Sequence, residues 1–141
     1  VSVVKAKLFG TEDYAIIKLD REVKGRTPLK IRSKKNVRSG QKLFVIGHPS
    51  GLPMKFASGA KVFEVRKDFF STNLDTFGGN SGSPVFNKDT NEVEGILVRG
   101  DVDYISSSFE GKPCQRVNVC NSNRKKCLED DPNILGEHVS N

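Results

Sequence analysis

Short apolar, β-branched runs alternate along this chain with clusters of turn-forming residues. Ser2–Leu8, Tyr14–Leu19, Lys42–Gly47, Lys61–Arg66, Phe69–Asn73, Pro84–Asn87, Glu92–Arg99 and Tyr104–Ser106 read as strands. Turn signals separate them at Gly25, Ser39-Gly40, Pro49-Ser50-Gly51, Ser58-Gly59, Gly78-Gly79, Asn87-Lys88-Asp89 and Gly100-Asp101. Many short strands with regular turns predict an all-β barrel or sandwich. No window keeps a helical period, and no segment repeats.

Two stretches break the alternation. Val23 to Gln41 is polar and basic, with Pro28 and two glycines, and suits a connection between two subdomains. From Cys114 to Asn141 the chain is polar and rich in Asn, Lys and Asp, which predicts a long loop or a poorly packed end.

The 141 residues, 35% of them hydrophobic and none Trp, suffice for one domain with a real core. No apolar run is long enough to cross a bilayer. Val1-Ser2-Val3-Val4 opens directly into a strand pattern with no signal peptide, as expected of a mature form or a fragment. The net charge of +6 is densest at Lys30, Arg32, Lys34, Lys35 and Arg38. No nucleic-acid fold signature accompanies that cluster, so it reads as a solvated loop, and neither nucleic acid nor a membrane is an expected partner. Cys114, Cys120 and Cys127 lack a C-x-x-C spacing, and His48 and His138 are the only histidines, which argues against a zinc site. A disulfide in an exported protein fits better, with the third thiol free or paired outside the chain.

One run carries chemistry: Gly78-Gly79-Asn80-Ser81-Gly82-Ser83-Pro84-Val85-Phe86. A serine hydroxyl is a poor nucleophile unless a base takes its proton and N–H groups receive the oxyanion. Glycines allow a turn to aim its N–H groups inward around the serine. A surface turn is the plain reading of a short Gly-Ser run. The full order is far more specific, and it resembles the nucleophile loop of trypsin-like serine peptidases, in particular the bacterial branch related to glutamyl endopeptidases. Asp13, in Glu12-Asp13-Tyr14-Ala15-Ile16-Ile17, looks like the triad Asp that stands before an apolar strand in that family. Gln41 to Pro49 looks like the first strand of the second barrel, and Asn91 to Gly100 like the strand that pairs with substrate. The similarity runs in order from about Val3 to Ile105.

The resemblance implies a chymotrypsin-like antiparallel β-barrel fold. Residues 1–24 would end an incomplete N-terminal barrel, 25–40 would be a linker, 41–113 the C-terminal barrel and 114–141 a Cys-containing polar tail. It implies a serine endopeptidase that works on peptides or proteins through an acyl-enzyme on Ser81, needs no metal or organic cofactor, and is secreted or periplasmic. Gly79 and Ser81 would supply the oxyanion hole and Asp13 would orient the base. Asp75, Thr76, Phe77, Gly78 and Leu97 would border the specificity pocket, and Val98 and Gly100 would pair with the substrate backbone. Asp75 stands where trypsins carry an acid, and glutamyl endopeptidases show a similar run there. Leu97 stands where the latter place a His. Asn80 replaces the Asp that animal relatives pair with a new amino terminus.

The family's histidine lies well before the triad Asp, and only twelve residues precede Asp13. His48 comes after Asp13, and His138 lies in the polar tail. In a serine protease whose triad has been dissected, losing the histidine costs about a millionfold in turnover. Negligible activity is therefore expected of these residues alone. The expected explanation is a missing N-terminal segment of the same protein. A trypsin-fold pseudo-enzyme that binds peptide or protein is the alternative, and an unrelated barrel binding an anionic polymer is a third reading.

Overall fold

The computed structural model describes residues 1–33, 36–119 and 136–140. Among them six strands close an antiparallel barrel in the order β10-β5-β4-β3-β6-β7. These are β3 (Lys42–Gly47), β4 (Lys55–Val65), β5 (Phe69–Thr72), β6 (Pro84–Asn87), β7 (Val93–Arg99) and β10 (Glu137–Ser140). Two hairpins stand apart as separate sheets, β1 (Ser2–Phe9) with β2 (Glu12–Lys18), and β8 (Tyr104–Phe109) with β9 (Lys112–Val117). No helix among the described residues is long and apolar enough to cross a membrane. The all-β, chymotrypsin-like expectation is met.

The two-residue period of the strands sorts their side chains between the two faces of the sheet. Leu43 and Val45 on β3, Ala60 and Val62 on β4, Phe70 on β5, Val85 on β6, Leu97 on β7 and Val139 on β10 fill one core with Leu74 and Val37. On the other face of β3, Phe44 stacks on Phe86 with ring centroids 4.7 Å apart, and Phe56 tilts against it at 5.2 Å. Closure removes the exposed edges that an open six-stranded sheet would present.

Two local features differ from the expectation. Ser58-Gly59 does not end a strand, because β4 runs through it. Leu43 pairs with Ala60 and Phe44 with Ser58, so Gly59, at φ +89°, is the extra residue of a bulge. The 114–141 stretch is not a loop or loose end throughout. Residues 112–117 form β9, and 137–140 form β10, whose Glu137, Val139 and Ser140 are buried between β5 and β7. A four-residue strand is too short to show a period, and its partners lie some forty to seventy residues away in sequence. Cys114 is an exposed free thiol on β9, and Cys120 and Cys127 lie outside the described residues.

The basic connection is anchored to the barrel. Ile31 bridges Val93 in parallel, and Arg32 N–H donates to Val93 O at 3.0 Å. The Arg32 guanidinium approaches Glu94 Oε2 at 2.7 Å as an ion pair rather than an aligned hydrogen bond. Asn87 donates to Glu94 Oε1 at 2.9 Å, so the buried carboxylate is held from two sides. By contrast the β1–β2 hairpin is largely exposed, with Leu8 and Phe9 at its tip.

Candidate active site

The turn between β5 and β6 carries the site. Asn80 N–H donates to Phe77 O at 3.1 Å and Ser83 N–H to Asn80 O at 2.9 Å, which coils residues 77–83 tightly. Gly82 N–H donates to Leu97 O at 2.7 Å, and Leu97 N–H to Ser83 O at 3.0 Å, which ties the coil to β7. The N–H groups of Gly79 and Ser81 enter none of these bonds. Gly79 sits at φ +96°, and a Cβ there would press on the carbonyl of His48 at 3.0 Å. A residue with a side chain is thus strongly disfavoured at this position.

A second layer fixes the turn. Ser50 N–H donates to Gly78 O at 2.6 Å, and Gly78 N–H donates to Asp103 Oδ2 at 2.6 Å. The Gly78 residue is therefore gripped from both sides. Ser50 Oγ and Tyr104 Oη lie 2.6 Å apart, and Phe77 packs on the Tyr104 ring at 5.6 Å. Ser50 itself holds a left-handed conformation, φ +51°, that a non-glycine residue adopts only when its surroundings enforce it. Asn80 is buried, as a short uncharged side chain beneath an exposed serine can be.

Ser81 stands exposed at the edge of a cleft of about 110 Å³. Thr76, Phe77 and Gly78 form one wall, and Leu97, Arg99 and Gly100 the other. Among the described residues, Asp101, Asp103 and Glu137 complete the lining. Of the residues expected to contact substrate, Asp75 is exposed and lies outside this lining, as does Val98, whose expected role is backbone pairing. Arg99, Asp101, Asp103 and Glu137 had no such expectation attached to them. The Asp101-Val102-Asp103 spacing was a local signal that two acids share one side of a strand-like segment. Glu137 had no local signal.

The hydrogen bonds do not assemble a triad from the described residues. Asp13 is the second residue of β2, opposite Leu8, and no hydrogen bond or ion pair joins it to the Ser81 turn. His48 Nδ1 lies 3.2 Å from Leu52 O, and His138 packs on Phe69 at 4.5 Å. Neither histidine bonds to Ser81. Burial, followed by the Arg99 charge, holds the His138 pKa below its ordinary value.

A glycine-built serine turn with two uncommitted N–H groups, mounted on a closed antiparallel barrel beside a cleft, defines the chymotrypsin-like serine peptidases. Sequence comparison agrees. The family described as trypsin-like peptidase domain matches residues 1–96, and the chain belongs to it. The chain is similar to glutamyl endopeptidase of Staphylococcus aureus strain MRSA252, at 29% identity over 96% of this chain and 38% of that protein. It is also similar to the glutamyl endopeptidases of strains MW2 and MSSA476, at 30% identity over 82% of this chain and 36% and 35% of theirs. The chain thus spans under two fifths of the length of these relatives.

Proposed function

We propose that these residues are the nucleophile-bearing part of a serine endopeptidase. Ser81 attacks the peptide carbonyl, and the N–H groups of Gly79 and Ser81 receive the oxyanion. Ser81 then carries the acyl group until water releases it. Asp13 orients a histidine supplied from outside these 141 residues, and Val98 and Gly100 pair with the substrate backbone as an added strand. Substrates are peptides or proteins met outside the cytoplasm, in a secreted or periplasmic setting. The observation that carries this reading is the turn itself. The N–H groups of Gly78, Asn80, Gly82 and Ser83 are taken up by bonds within the turn or to Asp103 and Leu97, whereas those of Gly79 and Ser81 enter no such bond and lie beside an exposed hydroxyl. The share of the relatives' length that the chain covers supports an external histidine.

The test is intact mass before and after a fluorophosphonate probe. The 141-residue chain, a form carrying its upstream coding sequence, and Ser81→Ala of that form are compared. One adduct on the longer form, absent in Ser81→Ala, is expected, with little on the short chain. No adduct on either form would overturn the catalytic reading. It would favour a peptide-binding pseudo-enzyme, a reading supported by the absence of a histidine bonded to Ser81.

A further inference from the structure

We propose that Ser50 and Tyr104 are positioning residues, a clamp that keeps the Gly79 N–H aimed at the place where the oxyanion forms. The inference rests on the reading of Ser81 as nucleophile and adds to it what holds that N–H in place. The carbonyl of Gly78 and the N–H of Gly79 belong to one planar trans peptide, so they point in opposite directions. A group that grips the carbonyl therefore aims the N–H. That group is the Ser50 N–H, which donates to Gly78 O at 2.6 Å. Glycine on both sides leaves the peptide little resistance of its own to turning over, since neither residue has a Cβ. Turned over, it would present a carbonyl where the oxyanion needs a donor.

Ser50 makes its bond from φ +51°, a conformation that a serine keeps only when its surroundings hold it there. The Tyr104 hydroxyl, 2.6 Å from Ser50 Oγ, supplies a holding contact. Tyr104 is fixed in turn. It pairs with Val117 at the base of the β8–β9 hairpin, and Asn118 donates to Val102 O and to Asp103 O at 2.8 Å each. Phe77, next to Gly78, packs on its ring at 5.6 Å. The hydroxyl pair thus acts through the Gly78–Gly79 peptide and touches no reacting atom. Its loss should slow the chemical step and leave probe binding alone.

Fluorophosphonate inactivation kinetics of the form carrying its upstream coding sequence test this. Tyr104→Phe keeps the ring and removes the hydroxyl. Its limiting rate per labelled site is expected to fall about threefold to tenfold, the worth of one hydrogen bond, with half-saturation by the probe unchanged. Ser50→Ala should act likewise, and it decides the matter if Tyr104→Phe fails to fold by circular dichroism. The double variant should be no slower than the slower single one, because both changes remove the same contact. A merely structural role would lower Tm and the fraction labelled without moving that rate. An unmoved rate, or losses that add in the double variant, would overturn the proposal. Exchange of the Ser50 amide, followed by NMR on the same form labelled at serine, reads the clamp without chemistry. Tyr104→Phe should speed it several-fold, and an unchanged exchange rate would overturn the clamp. Faster exchange in Tyr104→Phe with no labelling of the parent form would sink the Ser81 reading and leave the clamp standing.

Discussion

If β10 closes the barrel, truncating its central side chain should cost as much as a core substitution. Val139 is fully buried, and it lies in the same cluster as Phe70 and Leu97. Val139→Ala removes the equivalent of two methylenes, about 1.6 kcal/mol at about 0.8 each. The residual cavity raises this toward about 3 kcal/mol, because neighbours on five other strands cannot all collapse inward. For a domain of this size that corresponds to a fall in Tm of several degrees. Gly95→Ala approaches the same contact from β7, since its new methyl would run into the Ser140 carbonyl and Val139. Overpacking of that kind costs about 1–3 kcal/mol. The assay is guanidinium unfolding followed by far-UV circular dichroism, with Leu8→Ala on the exposed hairpin as the control, expected within about 0.5 kcal/mol. Should both barrel variants unfold at the control's midpoint, residues 137–140 are not part of the cooperative core. The cleft wall built on Glu137 would then lose its support.

Gly79→Val should abolish fluorophosphonate labelling of the longer form while leaving a cooperative unfolding transition. The side chain would be forced against the His48 carbonyl and would reorient the peptide whose N–H is proposed to receive the oxyanion. Glu94→Ala should cost about 3 kcal/mol in the same unfolding assay, because it strips the buried partner from Arg32 and from Asn87. The double substitution with Arg32→Met should recover part of that loss. His138 is held neutral in the fold by burial and by Arg99, so the unfolded chain takes up its proton first. Stability should therefore decline as pH drops below roughly 6.5, and His138→Gln should flatten that slope in urea titrations.

The two halves of the site differ in what a linear reading can reach. The Ser81 turn was legible because its requirements are local. Glycines, an asparagine and a proline in fixed order encode a coil whose bonds span at most three residues, such as Asn80 to Phe77. The strands of the barrel were legible where an apolar run lies between turn residues, as in Lys42–Gly47, and the bulge at Gly59 was not, because it takes a paired strand to reveal which residue is extra. The acidic cleft was hidden for a different reason. Glu137 lines it only because His138 pairs with Ser71 on one side and Arg99 on the other. A slip of one residue in that register would exchange the two faces, carrying the Glu137 carboxylate away from the cleft and putting a neighbour in its place. The make-up of the cleft wall therefore depends on long-range pairing of a four-residue strand. Two chains with the same serine turn can differ in cleft lining through a strand far from it in sequence.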